Sequence, residues 1–208
     1  MKKLPPRAEN LRRALAQEAA RIMSEHGIRD FLTAKRKAAE RFGVADGAVL
    51  PRNTEIEEAL AEYQRLFGGS RHVRTIAGQR NAALSAMQLL KEFEPRLVGP
   101  VLAGTATEHN DIQLHLFAER AESITFRLMD LGIEHEVVER RVRFSSDRIV
   151  AYPGVHFEYE DHTVDATVFP IDGIRQAPVS PVDGKPMRRI DTDELEVLLD
   201  SETAPLAQ

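Results

Sequence analysis

The period at which apolar residues recur changes near residue 95, and that change most narrows what this chain can become. Before it, apolar side chains return every three or four residues, the spacing of one helix face. After it, they alternate or run in short blocks, as in strands. Helices first and strands later argue for an α+β architecture.

The helical part reads as four segments. Leu11, Leu15, Ala19, Ile22 and Met23 form the first stripe, and Gly27 is a natural stop. Phe31, Ala34, Ala38 and Phe42 form the second, from about Asp30 to Phe42, ended by Gly43. Thr54 and Glu57 have the spacing of a capping box ahead of Ile56, Leu60, Tyr63 and Phe67, with Gly68-Gly69 as the break. The fourth segment, about Ile76 to Phe93, presents Ala83, Leu84, Met87, Leu90 and Phe93.

Beyond it, Leu97 to Gly104 is a short apolar run containing Gly and Pro, read as a buried strand entering a turn. Asp111 to Phe117 alternates strictly. Glu119 to Leu131 returns to a helical stripe, with Gly132 as its stop. Extended segments follow at about 134–144, 155–160 and 163–169, the last two read as a hairpin around Asp161-His162. Links this short do not carry parallel crossovers, so the sheet is expected to be mixed or antiparallel. Residues 170–190 are rich in Pro and Gly and read as a loop. Asp191 and Glu194 open a last helix with capping-box spacing, and the final residues read as frayed. The expected division is a helical segment, 1–75, and an α+β domain, 76–208, with a mixed sheet flanked by helices.

Composition removes several classes of function. The 208 residues are 42% hydrophobic and 29% charged, an ordinary globular balance. No apolar run approaches the ~18 residues of a membrane span, so no membrane partner is expected. Met1-Lys2-Lys3-Leu4-Pro5-Pro6-Arg7 has no apolar stretch behind its basic residues, so no secretory leader is expected. Cysteine is absent, which excludes disulfides, thiolate nucleophiles and thiolate-held metals. The address expected from these features is cytoplasmic. Charge is uneven: residues 1–70 carry 13 basic and 10 acidic side chains, and the remainder 15 and 23.

The stretch from Val101 to Leu116 concentrates polar chemistry. Gly104-Thr105 ends an apolar run, a polar loop follows, and Asp111 opens the alternating strand with Gln113 and His115 on the same face. Asp165 lies inside a later apolar strand, where it could face them. A glycine lets backbone amides approach a phosphate, and a neighbouring hydroxyl can bond its oxygens. Converging carboxylates would hold Mg²⁺ against a triphosphate.

With these residues, the segment from about 80 to 170 resembles the nucleotidyltransferase superfamily of the polymerase-beta type, whose small members are the minimal nucleotidyltransferases. Their signature is an apolar residue, Gly, then Ser or Gly, a loop, Asp-x-Asp or Asp-x-Glu on a strand, and a third acid on a later strand. The resemblance implies an α+β fold and Mg²⁺-dependent (or Mn²⁺-dependent) transfer of a nucleoside monophosphate from a triphosphate to a hydroxyl or phosphate of an acceptor. It implies that Gly104 and Thr105 contact phosphate and that Asp111 and Asp165 bind metal and carry catalysis. Gln113 then stands at the second acidic position, beside the nucleotide, as a neutral and weaker ligand. That departure leaves a second reading open, a catalytically inactive protein of the same fold that binds nucleotide or regulates.

Blander readings stand beside these. Gln113 and His115 fit the solvent side of a half-buried strand. A zinc site from Glu108, His109, Asp111 and His115 can be drawn. Arg140, Arg141 and Arg143 read as solvated, with Arg141 or Arg143 an alternative triphosphate contact, as are Arg175 and Lys185. Lys35-Arg36-Lys37 with Arg41 reads as a solvated helix face, and as a nucleic-acid contact in the alternative.

Overall fold

A computed structural model describes residues 6–44 and 49–203. The absent leader and the frayed C-terminus inferred from the sequence concern residues 1–5 and 204–208, outside the described residues. The chain forms two compact units, divided after Arg74. The first also takes in Thr107–His109 and Pro181–Asp183, and the second holds Thr75–Ala106, Asn110–Ser180 and the chain from Gly184.

The first unit is helical: α1 (Pro6–His26), α2 (Phe31–Arg41) and α3 (Asn53–Tyr63). Leu15, Ala19, Ile22, Ala34, Ile56 and Leu60 share one core, as their spacing requires. Gly27 takes a positive φ of 64° after α1, a conformation glycine enters without steric penalty. Asp30 caps α2, its side chain accepting from Thr33 N at 2.7 Å. Three expectations change here. The residue that reaches back to cap α3 is Glu55, which accepts from Arg52 N at 2.7 Å, rather than Glu57. Gly68-Gly69 does not end the helical run: a π turn, Gln64–Gly68, joins α3 to α4 (Gly69–Leu89). Phe42 and Phe67, both placed on buried stripes, are 46% and 72% exposed.

The second unit is α+β, a five-stranded mixed sheet with helices. Its elements are the rest of α4, β1 (Arg96–Val98), α5 (Gly99–Ala103), β2 (Ile112–Phe117), α6 (Glu122–Asp130), β3 (His135–Arg143), β4 (Ile149–Tyr159), β5 (His162–Phe169) and α7 (Thr192–Thr203). The strand order is β1-β2-β5-β4-β3, with β2 and β5 parallel and the other neighbours antiparallel. Because strand side chains alternate, the sheet has two unlike faces. Ile112, Leu114, Leu116, Val164, Ala166 and Val168 bury one face in a core shared with α4, α5, α6 and α7.

Two segments depart from the sequence reading. The run 97–104 is strand only to Val98, then turns into the short helix α5, with Pro100 in its first turn and glycines of positive φ at both ends. Strand β4 begins at Ile149, six residues earlier than expected, and runs through Pro153-Gly154. The β4–β5 hairpin turns on Glu160-Asp161, both with positive φ (48° and 61°), one residue before the expected pair.

The expected capping box at α7 is present: Glu194 N donates to Asp191 Oδ1, and Asp191 N to Glu194 Oε2, both at 3.0 Å. Replacing Asp191 with Ala should cost about 1 kcal/mol of unfolding free energy, measured by urea denaturation.

Candidate anion site on the polar face of the sheet

The other face of the sheet carries the polar residues singled out by the sequence. Gln113 on β2 and Asp165 on β5 are direct partners across the parallel pair, so their side chains stand side by side. His156 on β4 pairs with Asp165 on its other side, and Val98 on β1 pairs with Gln113. One rung further along lie Arg96, His115, Thr167 and Gly154.

Asp165 does not stand alone. Arg140 on β3 donates to its Oδ1 from Nε at 2.9 Å and from Nη2 at 2.8 Å. The guanidinium reaches Asp165 from two strands away because β4 offers a glycine where it crosses. A Cβ on Gly154 would come within 3.1 Å of Arg140 Cγ and 2.9 Å of Ala166 O. Arg140, read from the sequence as solvated, is therefore half-buried and holds the carboxylate expected to bind metal.

Asp111 precedes β2 by one residue and is partly buried. It lies two positions from Gln113 along the chain, a step of about 7 Å in an extended backbone. A guanidinium already supplies positive charge to Asp165, and Gln113 brings none of the negative charge a divalent ion needs. This donor set fits an anion held by fixed cations better than a carboxylate-held Mg²⁺.

Gly104 and Thr105 serve the helix before them. Gly104 takes φ 79° at the end of α5, and the N–H groups of Gly104 and Thr105 both donate to Pro100 O, the latter at 3.0 Å. Thr105 is 5% exposed. Their amides close α5, as at many glycine-terminated helices, instead of facing a ligand. The glycine that approaches the polar face is Gly99, with φ 74°: a Cβ there would overlap Gln113 Oε1. Its signal was in the sequence, since Val98-Gly99 is also an apolar residue followed by glycine.

His115 was read as solvent-facing and is instead 6% exposed. It lies under Arg189, at the end of the 170–190 segment, which donates from Nε to His115 Nδ1 at 2.9 Å. That bond makes Nδ1 the acceptor and leaves the ring proton of the neutral imidazole on Nε2. Burial first, and the Arg189 charge second, push the His115 pKa down to about 3. Arg189 rests over the rings of Phe117 and Phe169 and donates from Nη1 to Gly173 O at 3.1 Å. Burial and the nearby Arg96 lower its own pKa to about 10.

The drawn zinc set does not assemble as a unit. Glu108 is bonded to Arg71 at 2.6 Å, and His115 is covered by Arg189. Among the described residues, no group of three or more His, Asp or Glu side chains is placed to hold a metal ion. No helix of the described residues is long and apolar enough to cross a membrane.

The polar face thus combines Arg140, Arg96 and Arg189 with the neutral side chains of Gln113 and Thr167. Such a surface can bind an anion and orient it. No protein-family model matches the chain, and no curated protein sequence matches it.

Proposed function

We propose that this chain is a nucleotidyltransferase-like protein that binds a nucleoside triphosphate without transferring its nucleotidyl group. The observation that carries this reading is the Arg140–Asp165 pair beside Gln113. Where the resemblance implies three carboxylates around metal, this chain has one carboxylate neutralised by a guanidinium and one replaced by an amide. The fixed cations of the polar face then take the role of counter-charge to the phosphates.

Calorimetric titration with each of the four triphosphates tests this. Binding of at least one is expected in EDTA, with affinity changed less than about tenfold by Mg²⁺. Arg140→Gln is expected to weaken it by about 2 kcal/mol, roughly thirtyfold, as loss of a charge-assisted contact does. Pyrophosphate release in Mg²⁺ or Mn²⁺, abolished by Asp111→Ala and by Asp165→Ala, would instead establish metal-dependent transfer to an acceptor. Failure to bind any triphosphate would remove both readings.

A further inference from the structure

The two edges of the sheet are treated differently. On β1, Leu97 and Ile190 exchange backbone hydrogen bonds of 2.9 and 3.2 Å, which closes that side. The other edge is β3, nine residues long. Phe144 N donates to Arg148 O in the β3–β4 register, so even-numbered residues of β3 face β4 and odd-numbered ones turn their N–H and C=O outward. The chain uses that outward row once, where Val179 N donates to Arg143 O at 2.8 Å. His135, Val137, Glu139 and Arg141 are left as an open edge whose backbone groups accept no other described strand.

The side chains along this edge are polarised. Glu134, Glu136 and Glu139 precede Arg140, Arg141 and Arg143. Charges on an edge strand normally discourage pairing, but this pattern repels only a parallel neighbour. An antiparallel copy of the same strand sets the acidic half against the basic half.

We propose that two copies of the chain associate by antiparallel pairing of β3 with β3 about a two-fold axis at Val138. The register follows from the limits of the open edge. It runs from His135, where the strand begins, to Arg141, beyond which Val179 occupies the row, and Val138 is its midpoint. Complete overlap pairs His135 with Arg141 of the second copy and Val137 with Glu139, each through outward backbone groups. On the polar face, Val138 meets its own copy, and Glu136 stands opposite Arg140 on each side of the axis. Glu136 is exposed. Arg140 engages Asp165 through Nε and Nη2, so this contact adds a charge at the seam to a side chain already held in place. Within one chain Glu136 and Arg140 lie four residues apart on a strand, about 13 Å, and cannot meet; across the axis they face each other.

The chain has no cysteine, so a single introduced one reports the register. Non-hydrogen-bonded antiparallel partners lie about 4.5 Å apart at Cα, within disulfide range. Sedimentation equilibrium of the full chain is expected to show a monomer–dimer equilibrium, and mild oxidation of Val138→Cys a disulfide-linked dimer. Arg143→Cys, beside Val179, should not cross-link. Glu136→Arg, with unchanged circular dichroism, should raise the dimer dissociation constant at least about tenfold by setting like charges opposite. A chain that stays monomeric at every concentration overturns the proposal. So does a dimer indifferent to Glu136→Arg, or one that cross-links at 143 and not at 138.

Discussion

Lowering the pH from about 6.5 to about 3 is expected to remove up to about 5 kcal/mol of unfolding free energy through His115 alone. The sign follows from which state holds the extra proton. Burial keeps the folded imidazole neutral until the pH approaches about 3, while the unfolded chain takes up a proton near 6.5. Between those values the unfolded state is the more protonated, so stability is complete above the unfolded pKa and declines as pH falls through the window. The groups that face the ring sharpen the effect. Arg189 donates to Nδ1, Arg96 is its cross-strand partner, and Thr167 beside it is uncharged. A protonated ring would lose its acceptor and oppose two guanidiniums.

The loss is capped by the cost of lifting Arg189 away, since an opened 170–190 segment lets water solvate the imidazolium. Urea titrations across pH 3–7 measure the slope. His115→Asn keeps an acceptor near Nδ1 and removes the titration, so its curve should be flatter across this window. Curves for the wild type and the variant that run parallel would show that His115 protonates without penalty, and the burial argument would fail.

The elements legible in the sequence are those whose determinants are local. The stripes of α1 and α2, Phe42 apart, predicted their buried faces, because an amphipathic helix repeats its instruction every turn. Asp191 and Glu194 announced their capping box three residues apart. Short links between the later strands predicted the antiparallel arrangement of β3, β4 and β5. Helix α5 was hidden because five residues are too few to show a period, and its proline and glycines mimic a turn. The first half of β4 was hidden by Pro153-Gly154, which discourage a strand assignment yet here lie within one. His115 illustrates a different limit. Alternation put it on the polar face, as observed, but its burial comes from Arg189, 74 residues away. Asp165 is alike: its strand and face were readable, whereas its partner Arg140 comes from two strands across, through a gap that only Gly154 leaves open.

Replacing Arg80 with Met should destabilise the chain by about 3–5 kcal/mol, the largest loss expected from a single polar side chain here. Arg80 lies on α4, is 4% exposed, and donates from Nε to Val101 O and from Nη2 to Leu102 O, each at 3.0 Å. Those carbonyls end α5, where a helix has no internal donors left and where positive charge is favoured. Met retains the apolar stem but leaves two buried acceptors without that partner, at about 1–3 kcal/mol each. The guanidinium also pairs with Glu202 on α7, which is 44% exposed. If that ion pair were the main contribution, Glu202→Gln would cost nearly as much as Arg80→Met. If capping of α5 dominates, Glu202→Gln should cost less than about 1 kcal/mol, because solvent screens a pair so exposed. Arg80→Lys then separates charge from geometry. A single ammonium keeps the charge but not the planar fork that serves both carbonyls, so it should recover less than half of the loss. Urea unfolding of the three variants decides between them, and a lysine variant as stable as the wild type would show that charge alone is what α5 requires.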